Sequence, residues 1–243
     1  MIILSVGMPR AGSGWYYNLT NALMLANGAQ DARRIRNRYH LNRILTEVNC
    51  NIGALTPHRL IAVMAPSMMG NTFVIKAHSG PTRLALFLIR SGFIRPTHIY
   101  RDPRDAMLSA MENGQRSIEK GRSNAFTALA TFDSALKFMQ SYVHITETWL
   151  QTEQVLQVRY EDLLLNYDRE ADRLVDFLQF DSKNDETSQV IEKYRPEKAS
   201  TDMKGLHYSH GRIGRFRKKL NPEQQEILAN VLGPSLRRMN YEI

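Results

Sequence analysis

The chain has 243 residues, with 32 Lys and Arg against 24 Asp and Glu for a formal charge of +8, and 43% apolar and 23% charged side chains. That balance excludes a disordered or low-complexity chain, and the length suits one sizeable domain with its own core, taken as residues 1–243. The single cysteine, Cys50, allows no intrachain disulfide, and the longest apolar stretches, such as Leu60 to Ala65, fall far short of the roughly 20 residues that span a bilayer.

In chain order, Ile2 to Val6 is a short apolar run that reads as a buried strand. No basic, apolar leader precedes it, so a cytoplasmic location is expected. A glycine turn follows, and Trp15 to Leu25 reads as a helix. A basic helical stretch from Ala32 to Val48 comes next, then a further helical piece from Pro57 to Met64. Thr72 to Ile75 and Thr97 to Tyr100 read as buried strands, each leading through a polar segment into a helix. Phe126 to Trp149 carries Leu129, Phe132, Leu136 and Met139 at helical spacing and reads as one long amphipathic helix. Val155 to Tyr160 is a further strand, Arg169 to Phe180 a helix, and a last helix starts at Pro222. Between Tyr194 and Arg217 periodicity disappears among Lys, Arg, Gly, His and Ser. The alternation predicts an α/β domain with a mostly parallel sheet flanked by helices.

Four segments carry chemistry. The turn after the first strand satisfies G-x-x-x-x-G from Gly7 to Gly12, but Ser13 and Gly14 stand where an ATP- or GTP-using loop has Lys and then Ser or Thr. It therefore lacks both the magnesium hydroxyl and the β/γ-phosphate lysine. Its cation is Arg10, suited to an anion without a metal, and the strand-to-helix context makes the turn an anion cradle. Taken alone, a purely structural turn is an equal reading. Lys76 and His78, two apart at a strand end, point to one face near the carboxyl edge of the sheet, where open α/β folds bind ligands. His78 is a natural general base at neutral pH. Arg101 ends the next strand and Ser109 follows eight positions later on a helix begun by Asp102 and Pro103, so a phosphate fits between them. Asp102 and Asp105 read simply as helix-capping acids. Finally, the basic, glycine-bearing run from Ser209 to Leu220 could fold over an anion, although alone it reads as solvated surface.

In this order the four segments resemble the sulfotransferases that use 3′-phosphoadenosine 5′-phosphosulfate (PAPS). The family's P-K/R-S-G-T-T-W loop corresponds to Pro9, Arg10, Ala11, Gly12, Ser13, Gly14 and Trp15, and its K-x-H to Lys76, Ala77 and His78. Its Arg and Ser for the 3′-phosphate correspond to Arg101 and Ser109, its Y-E-D to Tyr160, Glu161 and Asp162, and its G-x-x-G-x-W loop to Gly211, Arg212, Ile213, Gly214, Arg215 and Phe216. Arg10 replaces the lysine of the cytosolic enzymes, Ser13 and Gly14 replace two threonines, and Ser209 and His210 replace a basic pair. A grip on the 3′-phosphate by Arg212, Arg215 or Arg217 is then expected.

The resemblance implies a P-loop NTPase-like three-layer sandwich. It also implies sulfuryl transfer from PAPS to an acceptor hydroxyl, releasing adenosine 3′,5′-bisphosphate (PAP), with His78 as base and Arg10 and Lys76 stabilising the leaving group. The nucleotide contacts implied are Arg10, Ala11, Gly12, Ser13, Gly14, Trp15, Arg101, Ser109, Tyr160, Gly211, Arg212, Ile213 and Gly214, with no metal. The acceptor is open: glycan, lipid head group, phenol and small alcohol all fit, and the basic charge suits an anionic one. Segments 28–71, 79–95 and 113–124, with Met68 and Met69, are expected to shape its pocket. Nucleic acid is not expected. Two rivals stand beside this reading: a nucleotide kinase with a degenerate loop, using Glu161 and Asp162 near magnesium, and a non-catalytic module binding an anionic polymer through Arg33, Arg34, Arg36, Arg38 and the C-terminal loop.

Overall fold

A computed structural model describes residues 1–198 and 212–243. β1 (Ile2–Gly7) leads into α1 (Ser13–Ala26), followed by α2 (Ala32–Arg38) and α3 (Pro57–Met68). Then come β2 (Phe73–Ala77), α4 (Arg83–Arg90), β3 (Ile94–Tyr100) and α5 (Pro103–Glu119). α6 (Phe132–Leu150) precedes β4 (Leu156–Arg159), and the remainder is helical: α7 (Tyr160–Leu165), α8 (Tyr167–Leu178), α9 (Asp185–Lys193), α10 (Phe216–Lys219) and α11 (Pro222–Arg238).

The four strands form one parallel sheet in the order β2-β1-β3-β4, with Ile2 opposite both Phe73 and Ile94. β1 is apolar on both faces because both are covered. Ile2, Leu4 and Val6 pack with Ile35 of α2, Val63 of α3 and Ile89 of α4, whereas Ile3 packs with Leu19 of α1 and Leu174 of α8. The result is the expected three-layer arrangement. A third cluster draws α5, α6, α10 and α11 around Met8 and Ala11, just beyond the carboxyl end of β1. It buttresses the turn from which the site is built.

Two helices are shorter than their sequence predicts. The basic stretch from Ala32 ends at Arg38, because His40 adopts a left-handed conformation (φ 53°) and turns Leu41 and Leu45 into the core. Arg33 and Arg36 then donate to the carbonyls of Val48 and Leu45, which the interrupted helix leaves without partners. The long helix expected from Phe126 begins at Phe132, capped by the Thr131 hydroxyl. The preceding Thr127–Leu129 is a separate short turn, and Phe126 lies so close to Gly114 that any side chain there would strike its carbonyl. α9 adds a helix to those the sequence predicts: Val190 and Ile191 on it, with Tyr194 at its end, pack into the core beside α1 and α8, a stripe too short to stand out in a polar stretch, and Asn184 sets its start by accepting from Glu186 N at 2.8 Å. No helix among the described residues is long and apolar enough to cross a membrane.

Candidate functional site

The loop between β1 and α1 is built for an anion. Arg10 and Gly12 are both left-handed (φ 65° and 74°), and a Cβ at Gly12 would lie 2.7 Å from the Tyr160 ring, so only glycine fits. No side chain caps α1, and the amides of Gly12, Ser13 and Gly14 have no partner among the described residues. Three donors therefore converge at a helix N-terminus where partial positive charge also accumulates. Ala11 turns the other way, into the third core cluster.

β2 lies beside β1 and delivers Lys76 and His78 to the same edge. A short run of chain pairs along the outer side of β2, with Lys76 N donating to Cys50 O and Ile52 N to Lys76 O, which fixes the backbone around Lys76. Its buried ammonium has no hydrogen-bond partner among the described residues, and desolvation lowers its pKa to about 8. His78 is half-buried, with Nδ1 2.5 Å from the Gly7 carbonyl. A carbonyl can only accept, so the shared proton belongs to Nδ1 and Nε2 is the basic nitrogen. Desolvation first, and then the Lys76 charge, pull its pKa to about 4 against the opposing effect of the Gly7 bond. The imidazole is therefore neutral at physiological pH.

The ends of β3 and β1 meet through arginines. Arg101 donates to Arg212 O (2.8 Å) and Arg10 O (3.4 Å) and lies over the Tyr160 ring at 4.6 Å, while its buried Nε has no partner among the described residues. Arg10 Nε donates to Ser109 Oγ at 3.2 Å, and its guanidinium lies over Phe126. Burial, followed by repulsion from Arg116 and Arg101, lowers the Arg10 pKa to about 10. Residues expected at opposite ends of a ligand are thus directly bonded here, Arg10 to Ser109.

Asp102 caps α5 as expected, accepting from Arg104 N and holding the Arg104 guanidinium at 2.8 Å. Asp105 does more than cap. Its buried carboxylate accepts from Gly214 N (2.7 Å), Phe216 N (3.0 Å) and Arg101 (3.4 Å), so it pins the C-terminal segment beside Arg101. An acid in the first turn of a helix gives no hint of partners more than a hundred residues away. Arg212 reaches Arg101 and Gly214 reaches Asp105, whereas Ile213 borders a separate recess with Arg104 and Glu161; none of the three lines the cavity described next, and Arg215 pairs with Glu112. Gly211, with Ser209 and His210, lies outside the described residues.

These groups open on a cavity of about 350 Å³. Pro9, Arg10, Gly12, Ser13 and Gly14 form one wall, Lys76 and His78 a second, and Arg101 and Ser109 a third. Trp15 and Tyr160 also border it, although Trp15 is committed elsewhere, donating to Tyr194 O at 2.9 Å and stacking on Tyr167. Three aromatic residues that local patterns do not point to, Phe126, Phe138 and Tyr142, join the lining and touch one another in a row, and Asn49 and Ala125 complete it. Only the helical spacing of Phe138 and Tyr142, one turn apart on α6, could have signalled a shared face. Met68 and Met69, expected beside the acceptor pocket, instead project outward at the end of α3. α3 runs back from the carboxyl edge, which carries its last turn away from the cavity.

The residues of the kinase alternative are otherwise engaged. Glu161 accepts from Asp102 N (3.1 Å) and the Tyr241 hydroxyl (2.8 Å), and Asp162 faces Arg169.

A family model described as the sulfotransferase domain matches residues 2–240. No curated protein matches the sequence. Among solved structures, mouse sulfotransferase SULT7A1 complexed with PAP is similar with a TM-score of 0.62 and 14% identity, over 97% of this chain and 84% of that one. Retinol dehydratase in complex with androsterone and inactive cofactor PAP is similar at 0.60 and 15%, over 100% and 82%. At these identities the likeness concerns the fold.

Proposed function

Since this chain belongs to the sulfotransferase domain family, we propose that it transfers a sulfuryl group from PAPS to an acceptor hydroxyl, with His78 as the base. The observation that carries the reading is the His78 Nδ1 bond to Gly7 O, which leaves Nε2 as a proton acceptor in the cavity beside Lys76. The donor suits the unspent hydrogen bonds around it. Among the described residues, Gly12, Ser13 and Gly14 offer amides, Lys76 an unpaired ammonium, and Arg101 a buried Nε without a partner. Solved structures of the same fold carry PAP, the spent nucleotide.

In the proposed step the acceptor oxygen attacks sulfur while its proton passes to His78 Nε2. The bond from sulfur to the bridging oxygen breaks, and that oxygen keeps the electron pair as part of the 5′-phosphate. Lys76 and the loop amides stabilise the charge that develops there, each donor worth about 3 kcal/mol in preorganised sites. Arg10 joins them by exchanging Ser109 for the 5′ group. Arg101 and Ser109 hold the 3′-phosphate beside Arg212, Ile213 and Gly214, and Trp15 and Tyr160 border the adenine. The transferred group carries less charge than a γ-phosphoryl, so amides and side-chain cations suffice. The acceptor is a hydroxyl compound, and residues 1–243 act as one catalytic domain in the cytoplasm.

His78→Ala tests the assignment. Turnover should vanish while calorimetric affinity for PAP stays within about threefold, because a base contributes about 10²- to 10⁴-fold to rate and little to ground-state binding. Equal loss of turnover and affinity would make His78 a structural residue.

A further inference from the structure

From Val48 to Arg101 the chain contains no Asp or Glu; its charged residues are Arg59, Lys76, Arg83, Arg90, Arg95 and Arg101. The two helices of this stretch, α3 and α4, cover the same face of the sheet, burying Val63 and Met64 on one and Leu88 and Ile89 on the other. Their outward faces are not ordinary solvated surface. On α3, Ile61, Ala65 and Met68 fall on one stripe, with Ile61 65% and Met68 75% exposed, and Met69 just after it is 70% exposed. On α4 the outward stripe is Arg83, Phe87 and Arg90, with Phe87 61% exposed. Large apolar side chains of this exposure, accompanied by cations alone, mark a contact surface.

The backbone locates it. Phe73 N donates to Met1 O and Ile2 N to Phe93 O, so the segments leaving α3 and α4 enter the sheet on either side of β1 at its amino edge. α2 adjoins them, with Gln30 N donating to Thr72 O and Asn71 to the Tyr39 hydroxyl. Arg34 and Arg38, one turn apart on α2, share a recess with Asn71 and Asp31; the carboxylate of Asp31 pairs with Arg33 at 3.6 Å, and neither Arg34 nor Arg38 has an acidic partner among the described residues. The cavity of the candidate site opens at the opposite, carboxyl edge.

We propose that this surface, Met68, Met69 and Phe87 bordered by Arg34, Arg38 and Arg90, docks on an anionic lipid bilayer. Apolar tips enter the headgroup boundary while the guanidinium groups meet lipid phosphates, the division of labour of interfacial helices. A free polyanion would use the arginines and leave the methionines and Phe87 without a role. A second copy of a chain of charge +8 would set like charges against a face whose cations outnumber its one acid, Asp31. With the amino edge on the bilayer, the nucleotide cavity stays open to solvent.

The test is co-sedimentation of the full chain with vesicles of phosphatidylcholine alone and of phosphatidylcholine with about one third phosphatidylglycerol. Binding is expected to the anionic vesicles only and to weaken with salt. Met68→Glu with Met69→Glu, and separately Phe87→Glu, should lower it at least about tenfold, and Arg34→Gln or Arg90→Gln about fivefold each. All these side chains are exposed, so unchanged circular dichroism melting certifies the fold, and PAP affinity should be the same on and off vesicles. Three results would overturn the proposal. One is equal or absent binding to both vesicle types. Another is heparin binding lost in Arg34→Gln but indifferent to Phe87→Glu, without vesicle binding. The third is a dimer in sedimentation velocity that Phe87→Glu dissolves, again without vesicle binding.

Discussion

Lys76 is a buried cation with no hydrogen-bond partner among the described residues, and burial holds its pKa at about 8. An anionic nucleotide prefers the ammonium form. Affinity for PAP should therefore be flat below pH about 8 and fall above it, approaching about tenfold per pH unit, because binding must first restore the proton. Lys76→Arg, charged throughout, should keep affinity flat. Calorimetry in buffers of different ionisation heat reads the proton uptake directly, and an equal pH dependence in both proteins would assign the effect elsewhere. Gly12 offers a second test at this scale. Gly12→Ala places a Cβ 2.7 Å from the Tyr160 ring in a left-handed conformation, which should cost about 2 kcal/mol or more in unfolding and also weaken PAP. A variant that melts like the parent would refute the close packing of loop and ring. Lys76, His78, Arg101 and Ser109 were legible in the sequence because each lies at, or one helical turn or two beyond, a strand end, so a local pattern suffices to place it. Asp105 was not, because its partners Gly214 and Phe216 are 109 and 111 residues away.

At the scale of elements, that same carboxylate ties α5 to the C-terminal segment. Asp105→Asn exchanges one acceptor oxygen for a donor facing Gly214 N or Phe216 N and leaves Arg101 without its buried counter-charge. The variant should lose about 3 kcal/mol of stability. Amide exchange at residues 214 and 216 should accelerate well before that of α5. Uniform exchange across both would mean that the segment is held by Phe216 packing instead. Helix lengths were the least legible feature at this scale. The basic pattern from Ala32 continues past Arg38, yet the chain breaks there because Leu41 and Leu45 gain more by entering the core than the helix gains from another turn. α9 starts where Asn184 caps it, and its apolar stripe, Val190 and Ile191 with Tyr194 beyond, is too short to mark a helix by periodicity alone.

Across the molecule, two desolvated imidazoles, His98 buried and His78 half-buried, make stability depend on acid. His78 and His98 both have pKa values lowered to about 4, chiefly by desolvation; His98 also shares its Nδ1 proton with Gln157 Oε1. The unfolded chain binds their protons near the ordinary value of about 6.5, so between there and about 4 it holds more protons than the folded one. Stability should therefore fall as pH drops through that window, by at most about 3 kcal/mol for each histidine. Urea unfolding across it should show the midpoint decreasing, and a constant midpoint would contradict the desolvation of both rings.

The sequence by itself determined the parallel α/β architecture and the residues at the strand ends, because a strand buried on both faces must be continuously apolar and a glycine turn before a helix must expose amides. Tertiary structure alone decided which of those residues meet. It bonded Arg10 to Ser109, set Asp105 behind Arg101, lined the cavity with Phe126, Phe138 and Tyr142, and sent Met68 and Met69 to the far edge. Each of these rests on packing between segments distant along the chain, and local periodicity carries no information about the partner a side chain will find.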